Sequence, residues 1–154
     1  MPSKPLTRES LPYYFARLER LEPSSQRRWG KLTPHRLLTH LKLTMQMSIG
    51  EIDVEPLPNM AIMRNPVVRW LIVKVLPWPH DKIKAPDVLT PAAANDFQTE
   101  RENLKEAMKR FVERAEAEPE LQTSNPGFGK ITLSFWESVH GRHLTHHLEQ
   151  FGLG

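Results

Sequence analysis

Residues 132–152 read Thr132-Leu-Ser-Phe-Trp136-Glu-Ser-Val-His140-Gly-Arg-His143-Leu-Thr-His146-His147-Leu-Glu-Gln150-Phe-Gly152. Thr132 can cap a helix and Gly152 can end one, so the stretch is predicted as a single long helix running to Phe151. With Trp136 at zero and about 100° added per residue, Leu144 lies near 80°, Phe151 near 60°, His140 near 40°, His147 near 20°, His143 near 340° and Gln150 near 320°. Three histidines therefore share the apolar face. His146, near 280°, falls at its edge.

The rest of the chain follows the same helical grammar. Ser10 is read as the cap of a first helix that holds Pro12 in its opening turn and runs to about Leu21. Thr33-Pro34 is a cap followed by proline at the first helical position, and Leu37, Leu38, Leu41, Met45 and Ile49 repeat at helical spacing until Gly50. Pro66 to Leu76 (PVVRWLIVKVL) reads as a short buried helix between two Pro-rich loops, 51–65 and 77–96. Asn95 or Asp96 can cap a long helix to about Glu116, with Phe97, Leu104, Met108, Phe111, Val112 and Ala115 inward and pairs such as Glu106 with Arg110 outward. No segment shows convincing strand alternation. These elements predict one all-α domain over residues 1–154, a helix bundle with an additional short helix and long Pro-rich loops.

Composition bounds the function. Of 154 residues, 39% are hydrophobic and 25% charged, as in an ordinary soluble globular chain. The net charge of +3 is spread out, apart from Arg27, Arg28, Lys31 and Arg36, and no basic stripe interleaved with aromatics supports nucleic-acid binding. No cysteine is present, so any metal needs His, Asp or Glu ligands. The start MPSKPLTRES has no apolar core of a signal peptide, and 66–76 is far short of the ~20 residues that span a bilayer, so a cytoplasmic protein is expected.

His143 and His147 lie one helical turn apart, the spacing at which two imidazoles reach a common point. The glutamate of an HExxH protease motif is absent. A third ligand is suggested by depth. His40 lies ~10 Å from the Thr33 end of the second helix, and the midpoint of His143 and His147 lies ~9 Å from the end of the last. If those helices pack antiparallel, the three rings share one level. The other reading is of histidines hydrogen-bonded to carbonyls at the edge of the core, or of a polar seam. His35 reads as surface, His80 as an exposed residue of the Pro77–Asp81 loop that could reach in, and His140 as a ligand or, preferably, a supporting donor.

The pattern His143-x-x-x-His147-x-x-Gln150, together with Trp29 and Thr33-Pro-His-Arg-Leu-Leu-Thr-His40-Leu, resembles the DinB/YfiT-like superfamily. Within it the chain looks most like a DinB-like subfamily of unknown function, through Trp29 to Thr33, Pro77-Trp78-Pro79, Pro126 to Gly129, Trp136 and the ending His143 to Gly152. The resemblance implies a four-helix bundle that binds one divalent ion, such as zinc, nickel, iron or cobalt, through His40, His143 and His147. His140, Gln150, Trp29 and Trp136 would support the ligands or line a pocket. Lys42, two residues after His40, departs from expectation and would discourage a cation if it pointed at the site.

Three neutral imidazoles leave coordination positions open, and a divalent ion can lower the pKa of a water or thiol. Some members of the superfamily are metal-dependent transferases of low-molecular-weight thiols such as bacillithiol or mycothiol, so a thiol S-transferase acting on a small-molecule substrate is one implied reading. A metal-dependent hydrolase is another; it would want a general base near the metal, for which Glu137 and Glu149 are candidates, and no catalytic residue is fixed by motif. The contrasting class is a non-catalytic, ligand-binding or stress-related bundle, for which an apolar helix face offers a homodimer interface, with a structural metal or none.

Overall fold

In the computed structural model, residues 3–80 and 85–154 are described; residues 81–84 of the predicted 77–96 loop, Asp81 among them, lie outside the described residues. The described residues form α1 (Leu11–Glu19), α2 (Pro34–Ser48), α3 (Pro66–Lys74), α4 (Phe97–Ala117) and α5 (Leu133–Gln150), with a hairpin of β1 (Gln122–Asn125) and β2 (Gly129–Thr132) between α4 and α5. Two short 3-10 turns, Ala61–Arg64 and Asp87–Leu89, flank α3. The chain is thus mostly helical with one small antiparallel sheet.

Helix starts follow the capping chemistry. Thr33 Oγ1 accepts from Arg36 N at 3.2 Å, Asp96 Oδ1 from Thr99 N at 2.8 Å, and Thr132 Oγ1 from Phe135 N at 3.1 Å. Each satisfies a backbone donor that the first helical turn leaves free. Ser10 behaves differently. Its backbone is already helical, and its hydroxyl donates to Pro5 O while accepting from Thr7 N, so it closes the turn that feeds α1 rather than capping the helix.

Helix α2 packs mainly on α4, while α5 packs on α2 and α4 and α1 leans on α4 and α5. Leu38, Leu41, Met45, Leu104, Met108, Phe111, Trp136 and Leu144 are all fully buried between them. Complete burial of a side chain such as Phe111 contributes about 2–3 kcal/mol, so this cluster is the main stabilising element. An N-terminal strap crosses α5: Leu6 is buried, Leu6 N donates to Glu137 O at 2.8 Å, and Tyr14 Oη donates to Lys4 O at 2.5 Å. Burial pushes the Tyr14 phenol above its ordinary pKa, against the opposing hydrogen bonds from Thr145 and Lys4.

Three further sequence expectations are corrected. The hairpin was not foreseen, because four-residue strands are too short to show alternation; it is made by its turn, where Asn125 Oδ1 accepts from Gly127 N and Phe128 N and Gly129 adopts a φ of +76°. It also braces the bundle, since Trp136 Nε1 donates to Thr123 Oγ1 and Thr123 Oγ1 donates to Ser48 O, each at 2.7 Å. The segment 66–76 is helical over Pro66–Lys74 but not buried: of α3, Val73 alone is fully covered. Glu106 pairs with Lys109 and not with Arg110, whose guanidinium instead meets Glu51 across the chain.

Candidate metal centre

Helices α2 and α5 bring His40, His143 and His147 together. His40 Nε2 lies 3.0 Å from His143 Nε2, which lies 3.0 Å from His147 Nε2, and all three candidate ligand atoms fall within 4.8 Å of one another. The depths inferred from sequence were therefore compatible with a meeting of the two helices at these residues.

The hydrogen bonds on the far side of the His40 and His147 rings settle where their protons sit. His40 Nδ1 is 2.8 Å from Leu89 O, a carbonyl that can only accept, so Nδ1 carries the proton and Nε2 presents a lone pair. Gln150 Nε2 donates to Trp29 O at 2.8 Å, which fixes the amide so that its Oε1 faces His147 Nδ1, also at 2.8 Å. His147 Nε2 therefore presents a lone pair as well. His143 Nε2 stands between these two, and one proton on it can serve only one neighbour. At least one of the buried His40 and His147 Nε2 lone pairs is therefore left without a full hydrogen bond, a deficit that a cation among the three nitrogens would relieve.

The donor set fits a divalent ion. Nitrogens at ~2.0–2.1 Å from tetrahedral zinc stand about 3.3–3.4 Å apart, a few tenths of an ångström wider than the two 3.0 Å separations from His143, while the set as a whole spans up to 4.8 Å. Burial, first, lowers the pKa of His40, His143 and His147; nearby histidines lower His143 and His147 further, against the Gln150 bond to His147 and the Leu89 bond to His40. The rings are neutral near pH 7, as metal ligands must be.

His40 and His147 are buried while His143 is half-buried, so the site opens on the His143 side. Around that side stand Trp78, with its ring 6.3 Å from that of His143, and Trp29, on which His80 stacks at 3.6 Å with the planes 6° apart. His146 lies among them, 5.7 Å from Trp29, 5.9 Å from Trp78 and 5.9 Å from His80. A cleft of about 360 Å³ adjoins this wall, lined by Arg28, Trp29, His80 and Glu149 together with Gly152 and Gly154.

The chain matches a family model, described as a protein of unknown function (DUF1569), over residues 2–152. It belongs to the DUF1569 family. No curated protein and no solved structure matches the chain.

Other expected residues of this DUF1569 chain fall as follows. His140 is fully buried between Trp136, stacked at 5.0 Å, and Phe111 at 4.5 Å, and neither of its ring nitrogens has a hydrogen-bond partner among the described residues. No hydrogen bond to the three histidines stands behind a supporting role for it. Burial lowers its pKa to about 3. Trp136 supports His140 and the hairpin rather than the histidine cluster. His35 is partly covered, with Nε2 2.7 Å from Asn95 O. Lys42 turns away from the site to donate to Glu100 Oε2 at 3.0 Å. Glu149 reaches the cleft, whereas Glu137 interacts with Glu116 and Lys74, and its pKa is raised by burial and then by Glu116. The residue that sequence reasoning missed is Leu89: it acts through its backbone carbonyl, which leaves no side-chain signal.

Proposed function

We propose that this DUF1569 protein binds one divalent ion through His40, His143 and His147 and uses the open His143 side to activate a small-molecule thiol or water, in the manner of a thiol S-transferase built on a DinB/YfiT-like four-helix bundle. The observation that carries the reading is the commitment of the His40 and His147 Nδ1 protons to Leu89 O and Gln150 Oε1, which aims both Nε2 lone pairs at His143 Nε2. Bound there, a divalent ion supplies Lewis acidity that lowers the pKa of a water or thiol.

The chain's own residues supply the rest. Gln150 orients His147 and at the same time holds the Trp29 carbonyl, coupling the ligand to the cleft wall. Trp78 and the Trp29–His80 stack narrow access beside His143 and limit the water that can enter. Because Glu149 lines the cleft, a hydrolase with Glu149 as general base is the second reading.

Elemental analysis of purified protein tests the proposal. About one zinc, nickel, iron or cobalt per chain is expected. His40→Ala, His143→Ala and His147→Ala should each remove it, whereas His35→Ala should not. Protein that carries no metal and shows unchanged thermal stability when these ions are added would overturn the reading.

A further inference from the structure

Three side chains on one side of α2 hold the segment of chain that precedes α4. His35 Nε2 lies 2.7 Å from Asn95 O, Arg36 Nη2 donates to Thr90 O at 2.6 Å, and His40 Nδ1 donates to Leu89 O at 2.8 Å. At about 100° per residue the three span an arc of about 140°. Arg36 and His40 stand one helical turn apart, and their acceptors are the carbonyls of consecutive residues. A guanidinium and a candidate metal ligand thus grip the same short stretch of backbone.

That stretch has few other attachments. Leu89 is buried in the core, and the turn Asp87–Leu89 is closed by Leu89 N on Pro86 O and Thr90 N on Asp87 O. From 91 to 95 the chain is mostly exposed, and among the described residues it makes no backbone–backbone hydrogen bond there. Asn95 adds one side-chain bond, from Nδ2 to Glu100 Oε1 at 3.0 Å. A segment held by so few contacts opens at a small fraction of the free energy of global unfolding, so its order follows whatever strengthens one of them.

The bond from His40 is the contact that an ion would strengthen. An imidazole that gives its Nε2 lone pair to a cation becomes a stronger Nδ1 donor, and a carbonyl on Nδ1–H makes Nε2 a better ligand. The coupling is reciprocal: the factor by which the docked segment raises metal affinity is the factor by which metal favours docking. Arg36 enters this linkage through geometry. Among the described residues it has no hydrogen bond to the three histidines, and it reaches His40 through the backbone that joins Thr90 O to Leu89 O.

We propose that residues 89–95 form a positioning clasp for His40, in which Arg36 holds Thr90 O so that Leu89 O stays on His40 Nδ1, and that filling of the metal centre and docking of the clasp reinforce each other. The inference rests on the metal reading above and adds to it Arg36 as a positioning residue. The test, on the full chain, is zinc affinity by competition with a chelating dye, together with amide hydrogen exchange over residues 87–95 with and without zinc. Zinc is expected to slow that exchange in the wild type. Arg36→Ala should weaken zinc binding about tenfold, the lower end of what partners behind metal ligands contribute, and should lose most of the zinc-dependent protection at an unchanged metal-free melting temperature. Arg36→Lys, which keeps a donor for Thr90 O, should restore both. Leu89→Ala, which keeps the carbonyl and removes the buried anchor, should weaken zinc binding as well. Zinc binding by the wild type that neither Arg36→Ala nor Leu89→Ala weakens, exchange over 87–95 that zinc leaves unchanged, or a loss in Arg36→Ala that Arg36→Lys does not restore would each overturn the clasp and leave the metal centre standing. Failure of the wild type to bind zinc, nickel, iron or cobalt would overturn both.

Discussion

His147 Nδ1 lies 2.8 Å from Gln150 Oε1, and the same amide donates from its other end to Trp29 O at 2.8 Å. One side chain thus sets the tautomer of a candidate ligand and the position of the segment that walls the cleft. Partners of this kind typically change metal affinity 10–100-fold when removed. Gln150→Leu is expected to weaken zinc or nickel binding by about that range, read by competition with a chelating dye, while retaining the helical signal in circular dichroism. Unchanged affinity would show that the hydrogen bond does not orient His147.

His140 gives the opposite expectation. Its two ring nitrogens are buried without partners between Trp136 and Phe111, and leaving such groups unsatisfied costs about 1–3 kcal/mol. His140→Leu, which keeps a similar volume, should leave stability unchanged or raise it and should retain the metal. The pH dependence has a definite sign. The folded pKa, about 3, is below the ordinary value of 6.5, so between the two the unfolded chain binds a proton that the folded chain does not. Stability is therefore lost as pH falls from about 6.5 towards 3. In denaturant titrations of metal-free protein, His140→Leu should show a shallower decline over that window than wild type.

Much of the histidine cluster was legible because helical spacing is a strong constraint. The bearing of His143 and His147 and the depth of His40 needed only the period of the helix and the rise per residue. What was illegible depends on contacts between distant segments. Leu89 O reaches His40 from a 3-10 turn 49 residues away and uses an atom that every residue possesses. Lys42 could not be dismissed from sequence because its partner, Glu100, lies 58 residues on. The exposure of α3 was misread for a related reason: apolar composition states a preference for burial but does not guarantee a neighbour. The β1–β2 hairpin is illegible because its strands are four residues long, too short for alternation to show, and the bond from Gly127 N to Asn125 Oδ1 closes its turn only in the folded chain.

Gly141 is where the N-terminal strap crosses α5. A Cβ there would run into Lys4 O, a backbone atom held in turn by Tyr14 Oη. Gly141→Ala should therefore destabilise the fold, despite alanine's better helix propensity of about 1 kcal/mol, because overpacking against backbone costs about 1–3 kcal/mol or more. Thermal melting checks this: a fall of several degrees is expected, and a rise would show that the strap does not bind α5 closely.

The Lys42–Glu100 pair yields the last prediction, which separates stability from metal binding. Glu100 is fully buried and Lys42 only slightly exposed, at 3.0 Å, and Asn95 Nδ2 donates to the other Glu100 oxygen at 3.0 Å. Burial alone would raise the Glu100 pKa; the hydrogen bonds from Asn95 and Lys42, with the Lys42 charge, outweigh it and hold the carboxyl below its ordinary range. A depressed carboxyl pKa contributes stability that is present above the unfolded value and is lost as pH falls through the folded one. Lys42→Ala and Glu100→Ala should each destabilise the protein by about 1–3 kcal/mol, with Glu100→Ala flattening the acid limb below about pH 4.5. Removal of one partner leaves the other buried without its counterion, so the double variant should cost less than the sum of the single ones. Metal content should stay at the wild-type level in Lys42→Ala, because the ammonium is already turned away from the histidines. A gain in metal affinity on removing Lys42 would instead show that its charge reaches the site.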